Sequence, residues 1–467
     1  SEDCLYLSVS VPARKTPKVL PVMVWIYGGG FYSGTSTLDL YDAVNIVTKH
    51  DVIVVAIQYR LGPFGFLYLD HENAPGNMGL LDQLLALQWI KRNIEKFGGD
   101  PQRVTLFGES AGAASVSYHL LNSTSASLFH RAILQSASSL PSWAYAPPEK
   151  AQQYGGQLLK AVNCSFPVIE RSIKCLRKVP MTTLVDSQFV TSDFAVFPFV
   201  PTIDKYFIHK SPFDMFSAGT HSKKPMISGK NKNEGIYFVI YQYEKIFNVF
   251  NESINIDKET YNKVLQGLFK HVLSSEDINT LGKLYGELSV KKGNGLVGAV
   301  DEIVGDYMFD CSILKWIKSN AIEYPKDTYL YQFNYRESDT PWPSWTGVMH
   351  GYEIPLVFGN SLNESVGFSS RDRMVSDNMI QYWVNFAQTG DPNVGSIAPS
   401  VKWEPVGSEQ DTLRYMAVNK RGHWFTSHAS DDDQCLLWDK MGIFSEKCCK
   451  IPPNDEEAVL INLYLFF

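Results

Sequence analysis

The sequence predicts an α/β fold: a large, mostly parallel mixed sheet with helices on both faces. Three observations predict it. Apolar runs at "VMVWIY" (22–27), "VIVVAIQY" (52–59) and "RVTLFG" (103–108) read as buried strands. Between the last two, "GLLDQLLALQWIKRNIEKF" (79–97) has helical periodicity, and strand–helix–strand alternation implies parallel pairing. A chain of 467 residues, 45% hydrophobic and 19% charged, can bury the core such a sheet needs.

The elements follow in order. "SEDCLYLSVSVP" (1–12) reads as an opening strand that carries Cys4. The stretch 145–320 is richer in helical patterns, apart from "PMISG", which reads as a strand running into a loop at Glu234. "TYLYQFNY" (328–335) reads as a further strand, and "RMVSDNMIQYWVNFAQTG" (373–390) as a helix closed by Gly390. No internal repeat, low-complexity linker or shift of composition divides the chain. We therefore expect one catalytic domain over 1–447 and a C-terminal tail over 448–467.

The net charge of −7 argues against nucleic acid as a partner, which usually leaves a basic footprint. It is compatible with a cationic substrate, although a mild acid excess is common in soluble proteins. The start is polar, so no signal peptide is expected there. No run reaches the roughly 18 apolar residues of a membrane span. The final "AVLINLYLFF" is apolar, and reads as a buried element or the start of a hydrophobic tail. Seven cysteines show no zinc spacing, and sequons stand at Asn122, Asn163, Asn251 and Asn363. Together they point to a secreted, oxidised protein.

The chemistry centres on "VTLFGESAGAASVSYHLL". Gly108-Glu109-Ser110-Ala111-Gly112 is G-x-S-x-G between an apolar strand and a helical pattern, the context of a nucleophile elbow. The tight turn needs small neighbours and lifts Ser110 to a helix N-terminus, with the Ala111 N–H free to donate. A serine needs a base and an acid after it in the chain. Among ten histidines, His71, His119, His130, His271 and His428 suit surface or packing roles. His423 in "RGHWF" is possible; His350 in "WTGVMHGYEIPLVFG", on a glycine-flanked loop, fits better. Glu234, on a loop beyond a strand end, suits the acid. Gly28-Gly29-Gly30 in "WIYGGGFYSG" suits an oxyanion hole, where one donor is worth about 3–4 kcal/mol; the bland alternative is a mere tight turn.

With these residues in view, the chain resembles the cholinesterases of the type-B carboxylesterase family, on the α/β-hydrolase fold. "EDCLYL", "YGGGFYSGTSTLDLYD", "QYRLGPFGFL", "APGNMGLLDQ", "FGGDPQRVTLFGESAG" and "WPSWTGVMHGYEI" carry the resemblance over nearly the whole chain. It implies Ser110, Glu234 and His350 as a triad, and Gly29, Gly30 and Ala111 as oxyanion donors. It implies a gorge for a choline ester lined by Tyr32, Trp143, Tyr237, Phe238, Tyr241, Trp342 and Tyr352. Glu109 beside the nucleophile would add negative field or serve as a structural acceptor. Neuroligin-like adhesion proteins share the fold without a complete triad, and here all three members are present. A general carboxylesterase acting on neutral esters is the other enzymatic alternative.

The resemblance implies more. In "SDFAVFPFVPTID", Phe197 matches one ring of the acyl pocket and Ala195 stands where a second ring is expected, with Phe194 as an alternative source. That implies relaxed acyl selectivity. It implies disulfides Cys164–Cys175 and Cys311–Cys435, and makes Cys4 half of a bridge whose partner, like the choline-stacking tryptophan, would precede residue 1. Cys448 or Cys449 would join subunits of a homodimer through C-terminal helices, with a membrane anchor beyond them. The setting implied is extracellular, secreted or tethered at a synaptic surface. No metal or organic cofactor is implied.

Overall fold

The computed structural model describes residues 2–13, 19–363, 365, 367–407, 412–430 and 433–445. Cys448, Cys449, the apolar run 458–467 and the expected dimer helices lie outside the described residues.

Nine strands form one sheet: β1 Leu7–Ser10, β2 Leu20–Ile26, β3 Ile53–Ile57, β4 Gly99–Glu109, β5 Arg131–Gln135, β6 Met226–Asn231, β7 Thr328–Phe333, β8 Thr412–Val418 and β9 Trp424–Ser430. Their spatial order is β1-β3-β2-β4-β5-β6-β7-β8-β9. Pairing is parallel from β3 through β8 and antiparallel at the two edges. The mostly parallel expectation holds, and its cause is visible in the burial: every residue of β2 and β3 is buried. Strands covered on both faces read as continuous apolar runs rather than alternating ones.

Six helices matter most for the site: α1 Met78–Asn93, α2 Ala111–Leu121, α3 Ile236–Gln242, α4 Gly295–Gly305, α5 Cys311–Glu323 and α6 Ser370–Thr389. Helix α6 begins with a capping box from Ser369 and Asp372 and closes at Gly390, whose φ of 90° is the left-handed C-cap expected of glycine.

Three expectations change. The opening strand covers only Leu7–Ser10. Ahead of it the chain turns, with Tyr6 N–H donating to Cys4 O, and Cys4 is unbonded among the described residues. Strand β5 is only five residues long, too short for its periodicity to mark it. The β8–β9 hairpin also escaped notice, and its turn contains His423. That side chain is exposed, and the backbone N–H of His423 donates to Asn419 Oδ1 within the turn.

Cys164–Cys175 and Cys311–Cys435 are bonded, as the resemblance implied. Asn163, Asn251 and Asn363 are exposed. Asn122 is half-buried, and its side-chain amide donates to Phe207 O at 3.0 Å.

The elbow depends on close backbone approach. A Cβ on Gly112 would lie 2.0 Å from Ile26 O, at the end of β2. Helix α2 can start directly over the sheet only because that atom is missing. Gly112→Ala is expected to lower stability by about 1–3 kcal/mol, as overpacked sites do. Denaturant unfolding measures this; an unchanged midpoint would contradict the close approach.

Candidate active site

Three loops at the carboxyl ends of parallel strands converge on one cavity of about 440 Å³. The first is the β4–α2 turn. Ser110 sits there with φ 55° and ψ −124°, a conformation that costs free energy in a non-glycine residue. The turn is held because Ser110 N–H donates to Gln135 O at 2.9 Å and Ala114 N–H donates back to Ser110 O. The Ala111 N–H belongs to the first helical turn, which has no intrahelical acceptor.

The second loop follows β6 and carries Glu234, which is 2% exposed. Its Oε1 accepts from Ser136 Oγ and from Asn231 N–H, each at 2.6 Å. Its Oε2 accepts from His350 Nδ1 at 2.6 Å. His350 lies on the third loop, beyond β7. Asn233 ties these two loops together: its N–H donates to Val348 O, and its Oδ1 accepts from Val348 N–H, each at 2.9 Å. Its Nδ2 donates to Asp301 on α4 at 2.7 Å, and Asp301 also accepts from Ile236 N–H, at the start of α3. Arg336 clamps the third loop further by donating to the carbonyls of Trp342, Pro343 and Gly347.

The His350 ring has Phe309 stacked on it, with centroids 4.4 Å apart at 28°. Phe309 comes from a π-helical turn, Asp306–Asp310, just before α5. Such turns re-aim side chains that a regular helix would place elsewhere. Nothing in the sequence singled out Phe309. Glu353 was also missed, although it stands three residues beyond His350 in the same motif. It is fully buried and accepts from Gln135 Nε2 and Asn231 Nδ2.

His350 Nε2 faces Glu109 Oε1 at 3.2 Å and has no hydrogen-bond partner; no bond joins it to Ser110 Oγ among the described residues. The expected serine–histidine contact is thus open. The electrostatics explain the ring's preference. Burial disfavours a charged imidazole, but the carboxylates of Glu109 and Glu234 at its two nitrogens outweigh that and push its pKa up. Burial likewise pushes Glu109 up, opposed by His350 and reinforced by Glu353 and Glu234. The two groups therefore compete for one proton. Ser110 Oγ is a single-bond rotor on the same cavity wall, and such contacts commonly close only with substrate present.

Gly29 and Gly30, with φ of 107° and 60°, form the turn after β2 and line the cavity. Tyr32, Trp143, Phe197, Tyr237, Phe238, Tyr241, Trp342 and Tyr352 line it as well. Trp143 is fixed by a 2.8 Å bond from Nε1 to Met308 O. Ala195 and Phe194 do not reach the cavity: the Phe194 ring meets Phe269 edge-on, at 6.4 Å. It does not supply the missing acyl-pocket ring.

A model described as the carboxylesterase family matches residues 1–438. The chain belongs to the carboxylesterase family. This carboxylesterase is 42% identical to an acetylcholinesterase of Bungarus fasciatus, over 98% of its own length and 74% of the relative's. It is 41% identical to a cholinesterase of Mus musculus, over 94% and 72%, and 40% identical to acetylcholinesterase 1 of Caenorhabditis elegans, over 94% and 74%. The enzyme is a carboxylic ester hydrolase on the α/β-hydrolase fold.

The proton shared near His350 gives this carboxylesterase a signed pH response. His350 can act as a base only when unprotonated, so kcat/KM is expected to rise with pH on the acidic side. Replacing Glu109 by Gln removes a negative charge that holds the proton on His350. The acidic limb of the kcat/KM profile then moves to lower pH. A limb that stays in place or moves upward would show that Glu109 does not govern the His350 charge.

Proposed function

We propose that this carboxylesterase hydrolyses choline esters through an acyl-enzyme formed on Ser110. The observation that carries the reading is the Glu234–His350 bond, which holds a ring that lines the same aromatic cavity as the strained Ser110. Its similarity to acetylcholinesterases and a cholinesterase supports the substrate class.

In the proposed cycle, Ser110 Oγ attacks the ester carbonyl and passes its proton to His350 Nε2. Glu234 holds the ring by Nδ1 and stabilises the imidazolium. The oxyanion is met by the N–H groups of Gly29, Gly30 and Ala111. The C–O bond to choline breaks, and His350 returns the proton to the departing alkoxide. Water then adds to the acyl carbon with His350 again as base, and collapse frees the acid and Ser110. Aromatic faces suit a quaternary ammonium at ~0.5–2 kcal/mol per contact, and Glu109 adds a nearby carboxylate. The net charge of −7 favours arrival of a cation.

The acyl side supports relaxed selectivity. Phe197 packs between the rings of Tyr32, at 5.2 Å, and Trp143, at 6.1 Å, while Ala195 contributes no ring. Two disulfides and three exposed sequons support an extracellular setting. Among the described residues, no helix is long and apolar enough to cross a membrane. A homodimer through C-terminal helices, and an anchor beyond them, are part of the same reading.

Ser110→Ala is expected to cut turnover on the order of 10⁶-fold and abolish organophosphate labelling. Near-normal turnover would refute the nucleophile. Acetylthiocholine should be preferred strongly over its neutral isostere; equal rates would indicate a carboxylesterase of neutral esters. Stoichiometric labelling without turnover would indicate an adhesion or scavenging protein. Butyrylthiocholine kcat/KM is expected within about tenfold of the acetyl ester. Refusal of the butyryl ester would overturn the reading of Ala195.

A further inference from the structure

The His350 ring has two supports that come from different parts of the chain. Glu234, on the loop after β6, holds its edge at Nδ1, and Phe309, on the π-helical turn Asp306–Asp310, covers its face. The ring keeps one orientation only if these supports keep one spacing.

The π-helical turn is tethered along its length. Tyr285 donates to Asp306 Oδ2 at 2.5 Å, and the Tyr307 hydroxyl meets Ser142 Oγ at 2.7 Å. Trp143 Nε1 donates to Met308 O at 2.8 Å, and Lys230 Nζ pairs with Asp310 Oδ2. Of these four tethers, the last reaches β6, because Lys230 is the penultimate residue of that strand. The next residue, Asn231, donates its N–H to Glu234 Oε1 and its Nδ2 to Met349 O and Glu353 Oε2. Asp310 also lies close to the triad acid. A Cβ on Gly305 would lie 3.7 Å from Glu234 Cβ and 3.9 Å from Asp310 Oδ2, so both side chains border one glycine.

The pair is a demanding one. Asp310 is 6% exposed, and Lys230 is half-buried on an inner strand of the sheet. Burial raises the pKa of Asp301 and of Tyr285, and the Asp310 charge adds to both rises, so Asp310 stands among further acidic groups. A desolvated carboxylate in such company needs a cation, and a buried pair tolerates separation poorly. The spacing of β6 and the π-helical turn is therefore held by the need to keep these two charges together. Neither residue lines the Ser110 cavity, so the pair acts at a distance from substrate.

We propose that Lys230 and Asp310 are positioning residues: their ion pair fixes Phe309 relative to the Glu234 loop and so sets the orientation of the His350 ring. The inference rests on the reading of His350 as the general base for Ser110.

The proton on His350 Nδ1, bonded to Glu234 at 2.6 Å, gives a readout independent of turnover. Short bonds of this kind give low-field proton resonances, and loss of the signal in His350→Ala assigns it. In the full chain, Asp310→Asn should shift or broaden that resonance. It should also lower kcat for acetylthiocholine at least about fivefold, with KM held within about twofold. This change is near-isosteric and leaves only a half-buried lysine, so it threatens folding less than Lys230→Met, which should act in the same direction. Lys230→Arg keeps the cation and should retain both readouts. Combined with Phe309→Leu, Asp310→Asn should cost less than the product of the two single losses, because both act through one ring. A folded Asp310→Asn chain that keeps both the resonance and kcat would overturn the proposal. So would equal losses in Lys230→Arg and Lys230→Met, or losses that simply multiply with Phe309→Leu. Ser110→Ala separates the two readings. Turnover that survives it refutes the serine mechanism, while the resonance still reports whether the ion pair holds His350 in place.

Discussion

The site depends on a charge imbalance enclosed in the protein. One imidazole, His350, lies among the buried carboxylates of Glu234, Glu109 and Glu353, and the first two stand at opposite nitrogens of the ring. Desolvated carboxylates are tolerated only where hydrogen bonds or a cation offset the loss of water. Glu234 has two such bonds besides the ring, and Glu353 has two amide donors. Among the described residues, Glu109 Oε1 has only His350 facing it. Much of the surrounding architecture serves to place donors around these acids: Ser136 at φ 57° after β5, Asn231 at the end of β6, and Gln135 braced by Trp383.

The parallel sheet makes that placement possible. Strands β4, β6 and β7 run the same way, so Ser110, Glu234 and His350 emerge at one end although they are separated by over a hundred residues at each step. The backbone ties between the Asn233 and Val348 segments fix the two later loops to each other rather than to the sheet alone. Helices α3 and α4 brace that junction through Asp301.

Legibility in the sequence followed the range of the interactions. β2, β3 and β4, buried on both faces, read directly as apolar runs, and Ser110 read from a contiguous motif with a stated backbone reason. Glu234 and His350 were narrowed by local context and fixed by the family pattern, since nothing local measures their separation. The aromatic lining was likewise assigned by resemblance, and all its members reach the cavity. Phe309, Asp310 and Glu353 were not read. Each owes its importance to what lies opposite it, from elements distant in the chain, and a single sequence carries no trace of such a pairing. The opening strand was read too long because alternating residues near Cys4 resemble a strand whether or not a neighbour pairs with them. The orientation of His350 toward Glu109 was also illegible, because it follows from a balance of burial and charge rather than from residue type.

The Cys311–Cys435 bond joins the first residue of α5 to the helix Asp433–Lys440. Trp438 of that helix is buried against Phe269 and Tyr307, and its Nε1 donates to Tyr285 Oη. Tyr307 and Phe309 share the π-helical turn that immediately precedes Cys311. The covalent link thus holds in place the helix that packs on the π-helical turn carrying Phe309, the ring stacked on His350. Reduction of that bond would slacken the backing of Phe309 while leaving Ser110, Glu234 and His350 chemically intact. Loss of activity after reduction would then report a loosened wall, not a chemical change at Ser110.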